Sequence, residues 1–215
     1  MASSITNIQN LEKSKFNVDD IFLHILDIRS INQSDIDKVK RILPKRCLRA
    51  NKFLHKDDML RCIGAGMLLI EDAKVDNEND LQIDSNGKPK IKGETFFNLS
   101  HSGNYVVIAV ASHEVGVDIE KVDQKNLSIA REVFTSNEIK WMNKDQFLRF
   151  HILWTQKESV VKLDGRGLSI NTLNFEVIQG KIVNITKLYN KKIKVFTFIY
   201  DDCVLSIASF FMFKN

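Results

Sequence analysis

Two acids stand inside the otherwise apolar run Gly116-Val117-Asp118-Ile119-Glu120-Lys121, and no other stretch constrains the chain as much. Upstream, Tyr105-Val106-Val107-Ile108-Ala109-Val110 is apolar and β-branched, which reads as a buried strand. Val115 to Val122 reads as a second strand, and the few polar residues between, His113 and Glu114 among them, predict a hairpin. Side chains alternate along a strand, so Asp118 and Glu120 share one face and Ile119 takes the other. Neighbouring carboxylates repel, and are tolerated when solvated, protonated, paired with cations or sharing a metal. The spacing alone leaves a solvated strand face and a cation-binding pair both open.

The 215 residues make one large domain or two small ones, with no linker or low-complexity segment between them. The apolar fraction of 44% and the charged fraction of 27% are those of an ordinary globular protein. No run approaches the roughly 18 apolar residues of a membrane span, and Met1-Ala2-Ser3-Ser4 does not open a secretory signal. Cys47, Cys62 and Cys203 are odd in number and lack metal-ligand spacing, so the expectation is free thiols in a reducing cytoplasm. The net charge of +4 suits an anionic small molecule or an acidic protein partner.

In chain order, residues 1–17 are polar and predict a flexible arm. A first strand is expected over Asp20 to Ile28, then a helix capped by Ser34 and broken by Pro44. Arg46, Arg49 and, less closely, Lys52 share a helical side, either a solvated basic face or an anion cradle. Lys56 to Ile70 reads as a mostly buried helix, on which Arg61 needs an anionic partner, a nearby Asp or a bound phosphate. Asn86-Gly87 is a turn signal, with Lys88-Pro89 in an extended loop after it. Phe96 to Gly103 is a strand ending in Ser100, His101 and Ser102, side chains able to bind an anion, although a lone histidine at a strand end is more often structural.

Asn126 to Arg131 predicts a short helix, and Thr135 with Glu138 a capping box that accounts for Glu138 without chemistry. Phe150 to Leu163 has a helical period: Phe150, Leu153, Val160 and Val161 make the apolar face, and His151, Thr155, Glu158 and Lys162 another. Glu158 and Lys162 also suit a surface i,i+4 pair. Asp164-Gly165-Arg166-Gly167-Leu168 predicts a left-handed C-terminal cap. Alternating runs from Leu173 to Phe213 predict antiparallel strands, and the whole is α+β.

Several segments together resemble the 4′-phosphopantetheinyl transferases, in particular the long, monomeric type that activates surfactin synthetase. They are Phe53-Leu54-His55-Lys56-Asp57-Asp58 with Arg61, Gly87-Lys88-Pro89, Phe97-Asn98-Leu99-Ser100-His101-Ser102-Gly103, Gly116 to Lys121, Trp154-Thr155-Gln156-Lys157-Glu158-Ser159-Val160-Val161-Lys162, and Gly165-Arg166-Gly167-Leu168. The resemblance implies a pseudo-twofold pair of similar α+β halves, residues 18–104 and 105–215 after an arm at 1–17, with the active site at their interface. It implies transfer of the 4′-phosphopantetheine arm of coenzyme A to a serine hydroxyl of an apo acyl or peptidyl carrier protein, releasing 3′,5′-ADP. Asp118, Glu120 and Glu158 match the family's Mg²⁺-binding acids, Glu158 also as base for the serine proton. Lys162 meets the pyrophosphate and leaving-group charge. Arg46, Arg49, Arg61, Lys88, Pro89, Ser100 and His101 match the coenzyme-binding positions, His101 at the 3′-phosphate. Cys62 stands where the family often has threonine, and Phe134 to Met142 faces the carrier. The implied partners are coenzyme A and the carrier, with neither nucleic acid nor membrane, and the chain is expected to be a cytoplasmic monomer. Two rivals stand beside this reading. One is a catalytically inactive module binding coenzyme A or a carrier protein. The other is a Mg²⁺-dependent phosphodiesterase acting on nucleotides.

Overall fold

The computed structural model describes residues 9–10, 13–93, 95–123, 127–143, 145–166, 172–178, 181–183 and 193–210. They form two compact units: residues 13–113, and residues 114 onward together with β1 (Gln9–Asn10).

The first unit holds β2 (Lys15–Val18), β3 (Ile21–Asp27), α1 (Gln33–Ile42), α2 (Pro44–Ala50), α3 (Lys56–Glu71), β4 (Leu81–Ile83), β5 (Pro89–Ile91), β6 (Phe96–Ser102) and β7 (Tyr105–Ala111). Its main sheet runs β2-β3-β7-β6, antiparallel throughout. The two inner strands are those with the most continuous apolar runs, as burial on both faces requires. Lys15–Val18, expected within the irregular arm, instead pairs along β3 as an edge strand. The helix cap also differs from expectation. Asn32, not Ser34, accepts from the backbone N–H groups of Ser34 and Asp35, and the Asp35 carboxylate accepts from Asn32 N at 3.0 Å. This reciprocal box satisfies three backbone donors at once, which a lone serine cannot. Pro44 ends the stretch by opening α2, where its missing N–H costs nothing.

Gly87, at φ +88°, closes a hairpin between β4 and β5, so Lys88 lies in a tight turn and Pro89 opens a strand rather than an extended loop. The Asp84 carboxylate accepts from the N–H groups of Asn86 and Lys88 at 2.9 Å and holds the turn. A boundary near residue 104 falls inside the β6–β7 hairpin, whose register is continuous from Ser102–Tyr105 to Phe96–Ala111. The compact units divide later, between His113 and Glu114.

The second unit holds β8 (Val115–Lys121), α4 (Ala130–Val133), α5 (Ser136–Met142), α6 (Gln146–Asp164), β9 (Glu176–Ile178), β10 (Lys181–Val183), β11 (Ile193–Tyr200) and β12 (Cys203–Phe210). Its main sheet runs β1-β11-β12-β8, antiparallel except for β1 on β11. The expected hairpin of β7 with β8 does not form. Both hydrogen-bonding edges of β7 are taken by β3 and β6, and β8 pairs with β12.

α6 lies on β8 and β12. A Cβ on Gly116 would collide with the Ser159 carbonyl oxygen and with Leu163 N, so backbone touches backbone where only glycine fits. Beneath the helix, Thr155 Oγ1 and Ser206 Oγ are 2.8 Å apart, and Gln156 Nε2 donates to Thr197 Oγ1 at 2.8 Å. Thr155 is 0% exposed and His151 2%, so the helix face that reads as polar is internal for its first two positions. The expected cap at Gly165 is present, left-handed at φ 80°, while Gly167 and Leu168 lie outside the described residues. The short helix expected from Asn126 appears as a 3-10 turn at Leu127–Ile129 running into α4, with Asn126 itself outside the described residues. The fold is α+β.

Candidate active site

Two polar constellations form, one in each unit. In the second, β8 supplies Asp118 and Glu120 and α6 supplies Glu158 and Lys162. The glycine contact at position 116 sets this meeting: it draws the strand onto the helix two residues before Asp118, beside the turn from Ser159 to Leu163. Asp118 is 3% exposed, and Lys162 Nζ donates to its Oδ1 at 2.6 Å. Lys162 therefore bridges helix to strand. Burial pushes the Glu158 carboxyl above its ordinary range, the Asp118 charge adds to this, and Lys162 opposes both. Glu120, the next residue on the Asp118 face, is partly exposed.

Lys157, next to Glu158, is 0% exposed. Its ammonium sits 2.8 Å from Glu138 Oε2 and donates to the carbonyls of Thr172 at 2.5 Å and Phe175 at 3.0 Å. Glu138 Oε1 accepts from Val177 N at 2.8 Å, while Oε2 accepts from Thr135 N at 2.8 Å in the expected capping box. Burial lowers the lysine's affinity for its proton, and the Glu138 charge restores part of it. Sequence reasoning missed this pair. Its only signal is a charged residue at a position where α6 is otherwise apolar.

Aspartate and glutamate oxygens are the donors a hard divalent cation takes. Asp118 and Glu158 fit such an ion in donor type. Burial raises the Glu158 carboxyl's hold on its proton and the Asp118 charge adds to this, so a cation placed there would relieve the repulsion between the two acids. Among the described residues, however, no three His, Cys, Asp or Glu side chains converge closely enough to hold a metal. Of the implied set, Asp118 and Glu120 lie on β8 and Glu158 on α6, and the Lys162 ammonium donates to the Asp118 oxygen.

In the first unit, α2, α3 and β6 surround a cavity of about 200 Å³ lined by Arg46, Arg49, Phe53, Asp58, Arg61, Cys62, Ala65 and His101. Four of the eight implied coenzyme positions meet there, Arg46, Arg49, Arg61 and His101, while Lys162 belongs to α6 of the second unit. Burial and the nearby Arg49 charge both weaken Arg46's hold on its proton, as expected where like charges are held together. Such a cluster gains from an anion. Arg61 has the aspartate partner that the sequence allowed: it donates to Asp58 at 2.5 Å and to the Gly103 carbonyl at 2.6 Å. The Arg61 bond holds the Asp58 carboxyl below its ordinary range. Cys62 Sγ lies 3.8 Å from the Arg46 carbonyl oxygen. Lys88, Pro89 and Ser100 do not line this cavity. Ser100 is buried and His101 exposed, as neighbours on opposite faces of β6 must be.

Residues 114–208, the stretch holding β8 and α6, match the model of the 4′-phosphopantetheinyl transferase superfamily. The chain is similar to the 4′-phosphopantetheinyl transferase ffp of Bacillus subtilis, 33% identical over 161 residues that cover 69% of this chain and 72% of the relative. It is similar to the 4′-phosphopantetheinyl transferase Sfp of Bacillus subtilis strain 168, 32% identical with the same coverage. The 4′-phosphopantetheinyl transferase gsp of Aneurinibacillus migulanus is 35% identical over 129 residues, and there the chain spans 54% of the relative's length. The chain belongs to the 4′-phosphopantetheinyl transferase superfamily.

Proposed function

We propose that the protein transfers the 4′-phosphopantetheine arm of coenzyme A to a serine hydroxyl of an apo acyl or peptidyl carrier protein, with Mg²⁺, releasing 3′,5′-ADP. The observation that carries this reading is the Glu158–Asp118–Lys162 constellation, which lies within the segment matching the superfamily. The two units are taken as the implied similar halves, since each has a four-stranded main sheet and one long helix.

Each side chain has a task the chemistry needs. Glu158, with its proton affinity raised, accepts the serine proton. Lys162 holds Asp118 in place and offers positive charge to the pyrophosphate. Arg46, Arg49 and His101 take the nucleotide's phosphates, with Arg61 oriented by Asp58 and Gly103 beside them. Lys88, Pro89 and Ser100 complete the coenzyme contacts. Asp118, Glu158 and Glu120 would hold the Mg²⁺, which when bound offsets charge on the phosphoryl group being transferred and on the departing one. No described helix is long and apolar enough to cross a membrane, and the described cysteines are free thiols. Both are compatible with a cytoplasmic site of action.

The test is intact-mass spectrometry of an apo carrier protein incubated with the enzyme, coenzyme A and Mg²⁺. The carrier should gain about 340 Da, the mass of the transferred group, and lose that gain when EDTA removes the metal. Asp118→Ala should abolish the gain with the fold intact. Coenzyme A cleavage without carrier modification would establish the phosphodiesterase instead, and coenzyme A binding without either reaction the inactive module.

A further inference from the structure

Adjacent strands of the second unit carry a polar residue at one level. Thr197 on β11 stands directly opposite Ser206 on β12, and Ser206 directly opposite Asp118 on β8. Opposed residues of antiparallel strands point to the same face, so these side chains form a row. That face lies beneath α6. Thr155 Oγ1 is 2.8 Å from Ser206 Oγ, Gln156 Nε2 donates to Thr197 Oγ1 at 2.8 Å, and Lys162 Nζ donates to Asp118 Oδ1 at 2.6 Å. Thr155, Gln156, Thr197 and Ser206 are all buried.

The protons of this row can run only one way, because each hydroxyl has a single proton to give. Thr155 gives its proton to the carbonyls of His151 and Ile152, at 2.8 and 3.2 Å, within α6 itself. It therefore accepts from Ser206, Ser206 accepts from Thr197 at 3.0 Å, and Thr197 accepts from Gln156. The same order fixes the amide: turned over, Gln156 would take the Thr197 proton that the Ser206 contact needs. Gln156 Oε1 is left buried with no donor among the described residues, a cost that an apolar side chain would not carry.

Apolar packing and the approach at Gly116 set how closely α6 lies on the sheet, but neither is directional enough to set its rotation. The bonds at Thr155 and Gln156 are directional, and successive helix positions stand roughly 100° apart, so together they fix rotation and slide. Glu158 and Lys162 follow Thr155 on the same side of the helix. We infer that the Ser206 hydroxyl, acting through Thr155, is a positioning group for the transfer reaction, holding α6 at the rotation that brings Glu158 and Lys162 to Asp118. This deepens the proposed function and rests on it.

The experiment uses the full chain. Thr155→Val keeps the side chain's shape and removes its hydroxyl, Thr155→Ser keeps the hydroxyl and removes a methyl, and Ser206→Ala opens the row at its centre. Transfer to an apo carrier is measured against coenzyme A and against carrier, with rates referred to the folded fraction from circular dichroism. Thr155→Val and Ser206→Ala should each lower kcat about tenfold, with both KM values within about twofold of wild type. The double variant should lose no more than either single one, since both open the same chain. Thr155→Ser should keep kcat within about twofold although it loses core contacts. A crystal structure of Thr155→Val should show Lys162 beyond hydrogen-bond distance of Asp118, a readout that does not depend on turnover. Wild-type kcat in both Thr155→Val and Ser206→Ala overturns the positioning role while upholding the reaction. Equal losses in Thr155→Ser and Thr155→Val assign the row to packing and overturn it as well. Absence of transfer by the wild type overturns the reaction and the positioning role with it.

Discussion

Glu158 sits one helical turn from Lys162, where burial and the neighbouring Asp118 both make its charged form costly. That cost has consequences for rate and for stability. A base must be deprotonated to act, so transfer should fall as pH drops through the raised Glu158 value, an acid limb above the ordinary carboxylate range near 4.3. For stability the sign is opposite. The folded carboxyl binds its proton more tightly than the unfolded one, so stability falls as pH rises between the two values, and the penalty is full above the folded one. Glu158→Gln should therefore abolish transfer yet raise the thermal midpoint at neutral pH by a few degrees. A midpoint that drops would show that ionised Glu158 is favourably held. At the other constellation, His101 lines the arginine cavity from an exposed position on β6. His101→Ala should weaken coenzyme A binding about tenfold, read by calorimetry, with little loss of the maximal rate. An unchanged affinity removes it from the cradle.

At the scale of elements, the contact of α6 with β8 decides whether Asp118 and Lys162 meet. The only clearance at Gly116 is that of a missing side chain, because backbone atoms of Ser159 and Leu163 stand in the Cβ's place. Gly116→Ala should cost about 3 kcal/mol or more in chemical denaturation, since two secondary elements must separate to admit a methyl group. Its residual folded fraction should have lost transfer through the broken Asp118–Lys162 bond. Loss of less than about 1 kcal/mol would mean that helix and strand can slide apart freely. The Lys157–Glu138 pair secures the opposite side of the same helix to α5 and β9. The sequence showed Glu138 as a cap, and the cap is real. Its second role depends on which lysine the fold brings to it, and i,i+3 spacing carries no information about that.

For the molecule as a whole, two units within one chain already supply both polar constellations, so no second copy is needed for either. A sedimentation mass of about 25 kDa is expected, against 24.7 kDa for one chain, and a dimer mass would contradict the implied monomer.

The sequence alone determined what depends on local order. Apolar period and turn chemistry marked β3, α3, β6, β7, α6 and the Gly165 cap, because each is set by residues a few positions apart. The ordered motifs fixed the superfamily and singled out Asp118, Glu158, Lys162, Arg46, Arg49 and His101. Only the tertiary structure decided the pairings between distant segments. It separated β7 and β8 into different sheets, since strand edges choose partners by packing and hydrogen-bond saturation, not by proximity in sequence. It took His151 and Thr155 inside, brought Lys162 to Asp118, and exposed Leu48 and Leu54. Helical and strand periods state which side chains share a face. What that face meets is fixed by the rest of the chain, through burial and charge acting over long sequence separation.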